Sequence, residues 1–503
     1  MKRASVLVPF SLAMVSALAC FVVQKNGWTL YYGDAEAHLE IARRIVDSKT
    51  PGWGQIGAVW LPLPHLLMLP LVRSNFMWRT GLAGTIPSAM FFVLGGAFLF
   101  AAAREVFQST TAALVTTGVF ALNPNILYLQ ATPMTESIFY GSLMALFYLT
   151  VLFERTQSRA AIVAAGLATI AATLTRYEGW FLIPFVALFF FLRERESRLH
   201  AAVLYGVVAS LGPLAWIADN VWWFGDPLDF YRGPYSAKAI QKGLPYPGQH
   251  EWLTAWHYVI SAGWFCAGWV TVALGLAGIL VAVAKRAWWP LALFILSPLF
   301  YVWSMHSSGT PIFVPNLPPH GWYNTRYGLC FLPLLAIGCG ALVLMATERW
   351  RITAAAALLV LTAGFWIAWP VPERVITWKE SKHNSDARRA WTHAGAEYLA
   401  ANYRGGGILT TLSDVAGVFR EAGIPLRETL NDANEPQWVH ETSQPDYFLD
   451  QRWAVAQAGD AVSLAMKRTG SHGVSYTMVE NIQVEGAPAL EIYRRDSDEH
   501  TIH

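Results

Sequence analysis

Trp28-Thr-Leu-Tyr-Tyr-Gly-Asp-Ala-Glu-Ala-His38 is the stretch on which the reading of this 503-residue chain turns. It follows an apolar run, Ala4 to Val23, and a run of about 20 such residues is long enough to span a bilayer. Two carboxylates, Asp34 and Glu36, and an imidazole, His38, therefore stand just past the end of a membrane segment. Charges beside hydrocarbon are costly, so they mark functional candidates. Met1-Lys-Arg before the apolar run also has the form of a signal peptide, but the run is longer than the apolar part of most such peptides. A start-transfer helix with a cytoplasmic N-terminus is expected.

Working outward, the same pairing of charge and apolar segment end recurs. Glu136 lies in Thr-Pro-Met-Thr-Glu-Ser, Arg176 and Glu178 in Thr-Arg-Tyr-Glu-Gly-Trp, and Arg326 in Tyr-Asn-Thr-Arg-Tyr-Gly. Of all residues 54% are hydrophobic and 14% charged, the composition of a polytopic α-helical membrane protein. A net charge of +2, with Lys and Arg scattered through short loops, gives no basic face for nucleic acid. Cys20, Cys266, Cys330 and Cys339 all fall in apolar runs without a C-x-x-C pair, which indicates neither a disulfide framework nor a metal site.

Further apolar spans are expected near 81–103, 111–128, 136–153, 159–175, 178–192, 200–218, 256–284, 288–305, 327–347 and 352–369. Arg104, Arg155, Arg159, the run Arg193 to Arg198, Lys285-Arg286 and Arg349 to Arg351 mark cytoplasmic loops by the positive-inside rule. The loops bearing Asp34, Glu136, Arg176, Asp226 and Arg326 then share the opposite, extracytoplasmic face. Trp60-Leu-Pro-Leu-Pro-His-Leu-Leu-Met-Leu-Pro-Leu-Val72 is short and interrupted by prolines, and reads either as a bent span or as a re-entrant piece. An odd number of about 11 to 13 spans is expected, which places the C-terminal part outside the cell.

From residue 371 polar residues dominate. The chain is thus divided into a transmembrane domain, 1–370, with an outer loop at 24–60, and a soluble extracytoplasmic α/β domain, 371–503. In the latter, Gly405 to Leu412 and Asp446 to Asp450 read as strands, Ala461 to Arg468 as a helix, and Tyr476 to Val484 with Ala489 to Arg494 as a strand pair. The triplet Gly405-Gly406-Gly407 lacks the lysine and helix start of a phosphate loop and precedes its strand.

Asp34 opens an amphipathic pattern, Asp34-Ala-Glu-Ala-His-Leu-Glu-Ile-Ala-Arg-Arg, and is expected to cap that helix with His38 one turn along. Amides at a helix start favour anions, so one short element both positions a carboxylate and keeps it ionised. In this order of features the chain resembles the GT-C superfamily of polyprenyl-phosphate-sugar-dependent glycosyltransferases, in particular the protein O-mannosyltransferase and aminoarabinose-transferase branch. The resemblance rests on Asp34 after the first span, Trp60-Leu-Pro-Leu-Pro-His65, Ile86-Pro-Ser-Ala89, the acidic loop after Asn123-Pro124, the break at Thr175 to Trp180 and a soluble C-terminal domain. It covers residues 1–200 well and the remainder by layout.

The resemblance implies a transferase that moves a monosaccharide, mannose or a similar sugar, from a polyprenyl-phosphate carrier to a hydroxyl of a glycan, lipid or protein acceptor, with inversion. No cofactor is implied, because the lipid-linked sugar is itself a substrate. A carboxylate would take the hydroxyl proton. Related chains carry adjacent Asp-Glu where this one has Asp34-Ala-Glu36, so either carboxylate is a candidate base, with Asp34 preferred. The family's lysine near the proline pair has no counterpart; His65 stands in that neighbourhood. Arg176 and Arg326 suit the donor phosphate, since a guanidinium binds phosphate oxygens bidentately. His38, Glu136, Glu178 and Asp226, the last within the aromatic loop Trp222 to Tyr235, complete the candidate substrate-binding set. Two other classes share the composition. A secondary transporter would show repeated halves, which are absent here, and a non-catalytic envelope assembly protein would tolerate loss of Asp34.

Overall fold

The computed structural model describes residues 2–241, 243–287, 289–368, 374–469 and 475–496. The chain divides into two compact units. One comprises Met1–Trp28, Ala58–Pro64 and Thr85–Glu380, the other Thr29–Gly57, His65–Gly84 and Ser381–His503.

The first unit is helical, and each apolar run read from the sequence is helical, although 111–128 breaks into Thr110–Ala121 and Pro124–Leu129 and 256–284 into two helices. The longer of these helices are Lys2–Lys25, Leu82–Phe107, Thr110–Ala121, Glu136–Thr156, Arg159–Thr173, Glu178–Arg193, Arg198–Phe224, the pair Trp252–Ala267 and Trp269–Ala284, Trp289–Ser307, Leu332–Leu342 with its preceding 3-10 turn, and Arg351–Ala368. Among the described residues seven helices are long and apolar enough to cross a membrane, or eight if the bent pair is one span. This is fewer than the 11 to 13 expected. Thr110–Ala121 and Arg159–Thr173 have only 12 and 15 residues, short of the roughly 20 that reach across about 30 Å of hydrocarbon. The proline-interrupted segment becomes a helix, Leu63–Val72, of 10 residues, too short to span.

Glycines decide how closely these helices approach. Trp252–Ala267 and Trp269–Ala284 meet at 107°, and the joint, Gly268, has φ +79° with the rings of Phe365 and Trp366 against the space a Cβ would fill. A Cβ on either Gly278 or Gly338 would strike the other helix's backbone, so these small residues allow the helices to touch. Outward-facing Val6, Phe10, Leu280 and Ile367 are largely exposed, as side chains facing lipid are.

The second unit is built on a five-stranded mixed sheet: β1 Ile408–Thr410, β2 Thr429–Leu430, β3 Trp453–Gln457, β4 Tyr476–Ile482 and β5 Leu490–Arg495. Its spatial order is β2-β1-β3-β5-β4. β1 runs parallel to β2 and β3, while β5 is antiparallel to both β3 and β4. Alternation along β3 sends Trp453 and Val455 into one core and Ala454 and Ala456 into another. The expected strand at Asp446 to Asp450 is instead the short helix Pro445–Phe448, and the strand lies a few residues later at β3. Pro445 is suited to the first helical position, and the Leu449 amide bonds back to the Pro445 carbonyl at 3.2 Å. The glycine triplet forms the turn into β1. All three have positive φ, and a Cβ on Gly406 would lie 2.7 Å from the Arg452 stem.

The division read from composition also shifts. Residue 371 itself lies outside the described residues, and the second unit takes in 29–57 and 65–84. The reason is shared burial: Leu39, Ala42, Met68, Val72 and Trp78 form one core with Val415, Phe419, Ile424, Trp453 and Val455.

Candidate active site

Within the second unit the helix Gly33–Arg44 begins at Gly33 with Tyr32 as its cap residue, so Asp34 lies inside the first turn and is not the cap that the sequence suggested. Asp34 is half-buried and Glu36 buried. At 100° per residue the two side chains leave the helix about 200° apart. Glu36 accepts from Arg388 Nη1 at 2.9 Å through Oε2, and from Arg420 Nη2 at 2.9 Å and Nε at 3.3 Å through Oε1. Gly417 leaves the room this carboxylate occupies.

One turn further, Glu40 is buried and, among the described residues, accepts from Trp78 Nε1 at 3.3 Å. Burial pushes its pKa up to about 8, against the opposing pull of Arg420. Next along the helix, Arg43 pairs with Asp47 at 2.6 Å, and Asp47 with Arg427 at 3.1 Å. His38 and His65, both buried, lie with Nδ1 and Nε2 2.9 Å apart. One ring donates to the other, so the accepting imidazole is neutral.

The first unit gathers the other candidates into a separate cluster. Arg176 donates Nε to Glu178 at 3.2 Å, Nη1 to Thr135 at 2.9 Å and Glu136 at 3.1 Å, and Nη2 to Tyr301 at 2.9 Å. Arg326 donates Nε to Glu136 at 3.1 Å and Nη1 to Glu380 at 3.0 Å. Tyr301 donates to Glu178, and Thr325 to Glu380. Both guanidinium groups lie over the Tyr327 ring, at 5.1 and 5.0 Å. Two cations thus face three carboxylates. Buried ions persist only where their charge is compensated, and here the compensation comes from Glu136, which serves both arginines through one oxygen. Both guanidinium groups, the expected phosphate ligands, are engaged by carboxylates, Arg176 by Glu178 and Glu136 and Arg326 by Glu136 and Glu380.

Asp226 lies in the aromatic loop and is bound bidentately by Arg232, at 2.6 Å to each oxygen. That contact holds its carboxyl below the usual range. Trp222 is 81% exposed, the position of a membrane-belt tryptophan, whereas Phe230 stacks on Tyr177 with centroids 5.1 Å apart.

Sequence reasoning missed Glu380, Tyr301, Arg388 and Arg420. Each lies far in sequence from its partner: Glu36 and Arg420 are 384 residues apart, Arg326 and Glu380 54. No local spacing announces such pairs. Among the described residues no group of three His, Cys, Asp or Glu side chains is placed to hold a metal ion.

Residues 68–223 match the model of the dolichyl-phosphate-mannose-protein mannosyltransferase family. The structure is similar to the crystal structure of ArnT from Cupriavidus metallidurans bound to undecaprenyl phosphate, with a TM-score of 0.58 and 15% identity over 96% of this chain and 98% of that one. No curated protein sequence is a significant match.

Proposed function

From the GT-C superfamily fold, present over nearly the whole chain, we propose that the protein is an integral-membrane glycosyltransferase. Its donor is a polyprenyl-phosphate monosaccharide, the carrier class named for the structural neighbour and for the family matched by residues 68–223. Its acceptor is a hydroxyl of a glycan, lipid or protein, and its site faces the extracytoplasmic side.

The observation that carries the reading is the position of Asp34. It sits in the first turn of a polar helix, within the unit that is built on the five-stranded sheet. Glu36, the other candidate, is held by two arginines. Both of its oxygens are occupied by guanidinium donors, so neither is directed at an acceptor hydroxyl. Asp34 is therefore the general base. It takes the acceptor's proton as the hydroxyl oxygen attacks the anomeric carbon, the bond to the phosphate oxygen breaks, and the configuration inverts in this single displacement. The departing lipid phosphate is an anion and needs cationic support. Arg176 and Arg326, joined within the first unit through Glu136, are the candidate cations, with Glu136 the carboxylate that a phosphate would displace.

Asp34→Asn tests the reading. Turnover of a radiolabelled polyprenyl-phosphate sugar in membrane vesicles should fall at least ~10²-fold while donor binding persists, and Glu36→Gln should cost less. A variant that turns over normally at position 34 removes the assignment.

A further inference from the structure

The elements that surround the first turn of Gly33–Arg44 come from the C-terminal part of the chain, and their contacts straddle Asp34. Arg388, on the helix Ile376–Asn402, donates Nη2 to the Tyr31 carbonyl at 3.1 Å and Nη1 to Glu36 at 2.9 Å. One guanidinium thereby ties a backbone atom three residues before Asp34 to a side chain two residues after it. The same group lies 3.5 Å from the position a Cβ on Gly33 would take. Its neighbour Arg389 covers the Tyr31 ring, 3.6 Å from the centroid. From the other side Arg420, on Leu412–Ala422, reaches Glu36 and donates Nη1 to the Arg79 carbonyl at 3.0 Å. Arg388 and Arg420 are both mostly shielded from solvent, with side chains 12% and 7% exposed, where charge-assisted bonds constrain geometry most.

We propose that Arg388, acting through Glu36 and the Tyr31 carbonyl, is a positioning residue that holds Asp34 in its reactive orientation, so that the C-terminal part of the chain is a working component of the active site. This rests on the reading of Asp34 as the base. Glu36 then has a defined role that is not proton transfer: it is the anchor that the two arginines grip. A planar fork is required, because a single ammonium cannot bridge the carbonyl and the carboxylate in one fixed geometry. The link is also one that can be lost without unfolding the unit. Glu36 keeps Arg420 when Arg388 is removed, and the core shared by Leu39, Trp78, Val415 and Trp453 is untouched.

The test measures kcat and donor KM on the purified full-length protein for Arg388→Ala, Arg388→Lys, Glu36→Gln, the double variant Arg388→Ala/Glu36→Gln and Asp34→Asn, with a melting curve for each. Displacement of a reacting group by about 1 Å costs on the order of 100-fold in rate. Arg388→Ala should therefore lower kcat about 10- to 100-fold with donor KM within about 2-fold, Arg388→Lys should recover only part of the loss, and the double variant should be no slower than the worse single one. A purely structural role would lower the melting temperature while leaving kcat per folded molecule intact; that result, or additive losses in the double variant, overturns the proposal. If Asp34→Asn itself turns over normally, the assignment of the base fails instead, and Arg388 has nothing to position.

Discussion

Replacing Glu40 by glutamine is expected to stabilise the second unit at alkaline pH. Glu40 is buried, and among the described residues one of its carboxylate oxygens has no hydrogen-bond partner while the other accepts from the Trp78 indole. Its folded pKa is raised, so the folded state binds a proton that the unfolded chain releases at lower pH. The stability this gives is complete below the unfolded value and is lost as pH rises through the folded one. With an ordinary value of 4.5 and a folded value of about 8, and about 1.4 kcal/mol per pH unit, the loss across that window is at most ~5 kcal/mol. Relaxation and entering water reduce it, and ~2–4 kcal/mol is the working expectation. Glutamine keeps the shape and accepts the Trp78 bond, but never has to ionise. The assay is thermal unfolding in lipid nanodiscs at pH 5 and pH 9, comparing Glu40→Gln with the wild type at each. The gap between the two should widen in favour of the variant at pH 9 by roughly 4–16 °C in Tm, taking about 2–4 °C per kcal/mol for a unit of this size. An equal gap at both pH values would mean that Glu40 is ionised throughout, and its pairing with Arg420 would have to be closer than the structure shows.

Glu136→Gln should loosen the shared contact with Arg176 and Arg326, lowering Tm while tightening binding of polyprenyl phosphate several-fold; unchanged affinity in titration would remove both arginines from phosphate binding. Cysteines placed at the exposed positions Tyr235 and Arg404 should react with an impermeant thiol reagent on intact cells, and one at Arg195 should not. The native cysteines are buried or half-buried and give little background. Labelling of Arg195 with protection of Tyr235 would turn the site to the cytoplasm. Gly406→Ala should destabilise the second unit by about 1–3 kcal/mol in denaturant titration, because φ is +99° and the Arg452 stem leaves no room for a Cβ; a neutral result would show that the turn relaxes.

The apolar helices were legible because each carries its own evidence, a run of hydrocarbon side chains that must avoid water wherever the chain goes. The same holds for the polar start of Gly33–Arg44, and for the separation of Asp34 from Glu36 around it, which follows from helical geometry alone. Short elements of the soluble part were less legible. Tyr447 and Phe448 fit a strand by composition, and only the turn initiated at Pro445 made them helical. What the sequence could not express was which charge meets which. Glu36 finds Arg388 and Arg420, and Glu136 finds Arg176 and Arg326, over separations of 40 to 384 residues. A buried charge demands a partner but does not name one; the partner is whichever opposite charge the packed helices and sheet bring within about 3 Å, and that is set by the tertiary fold.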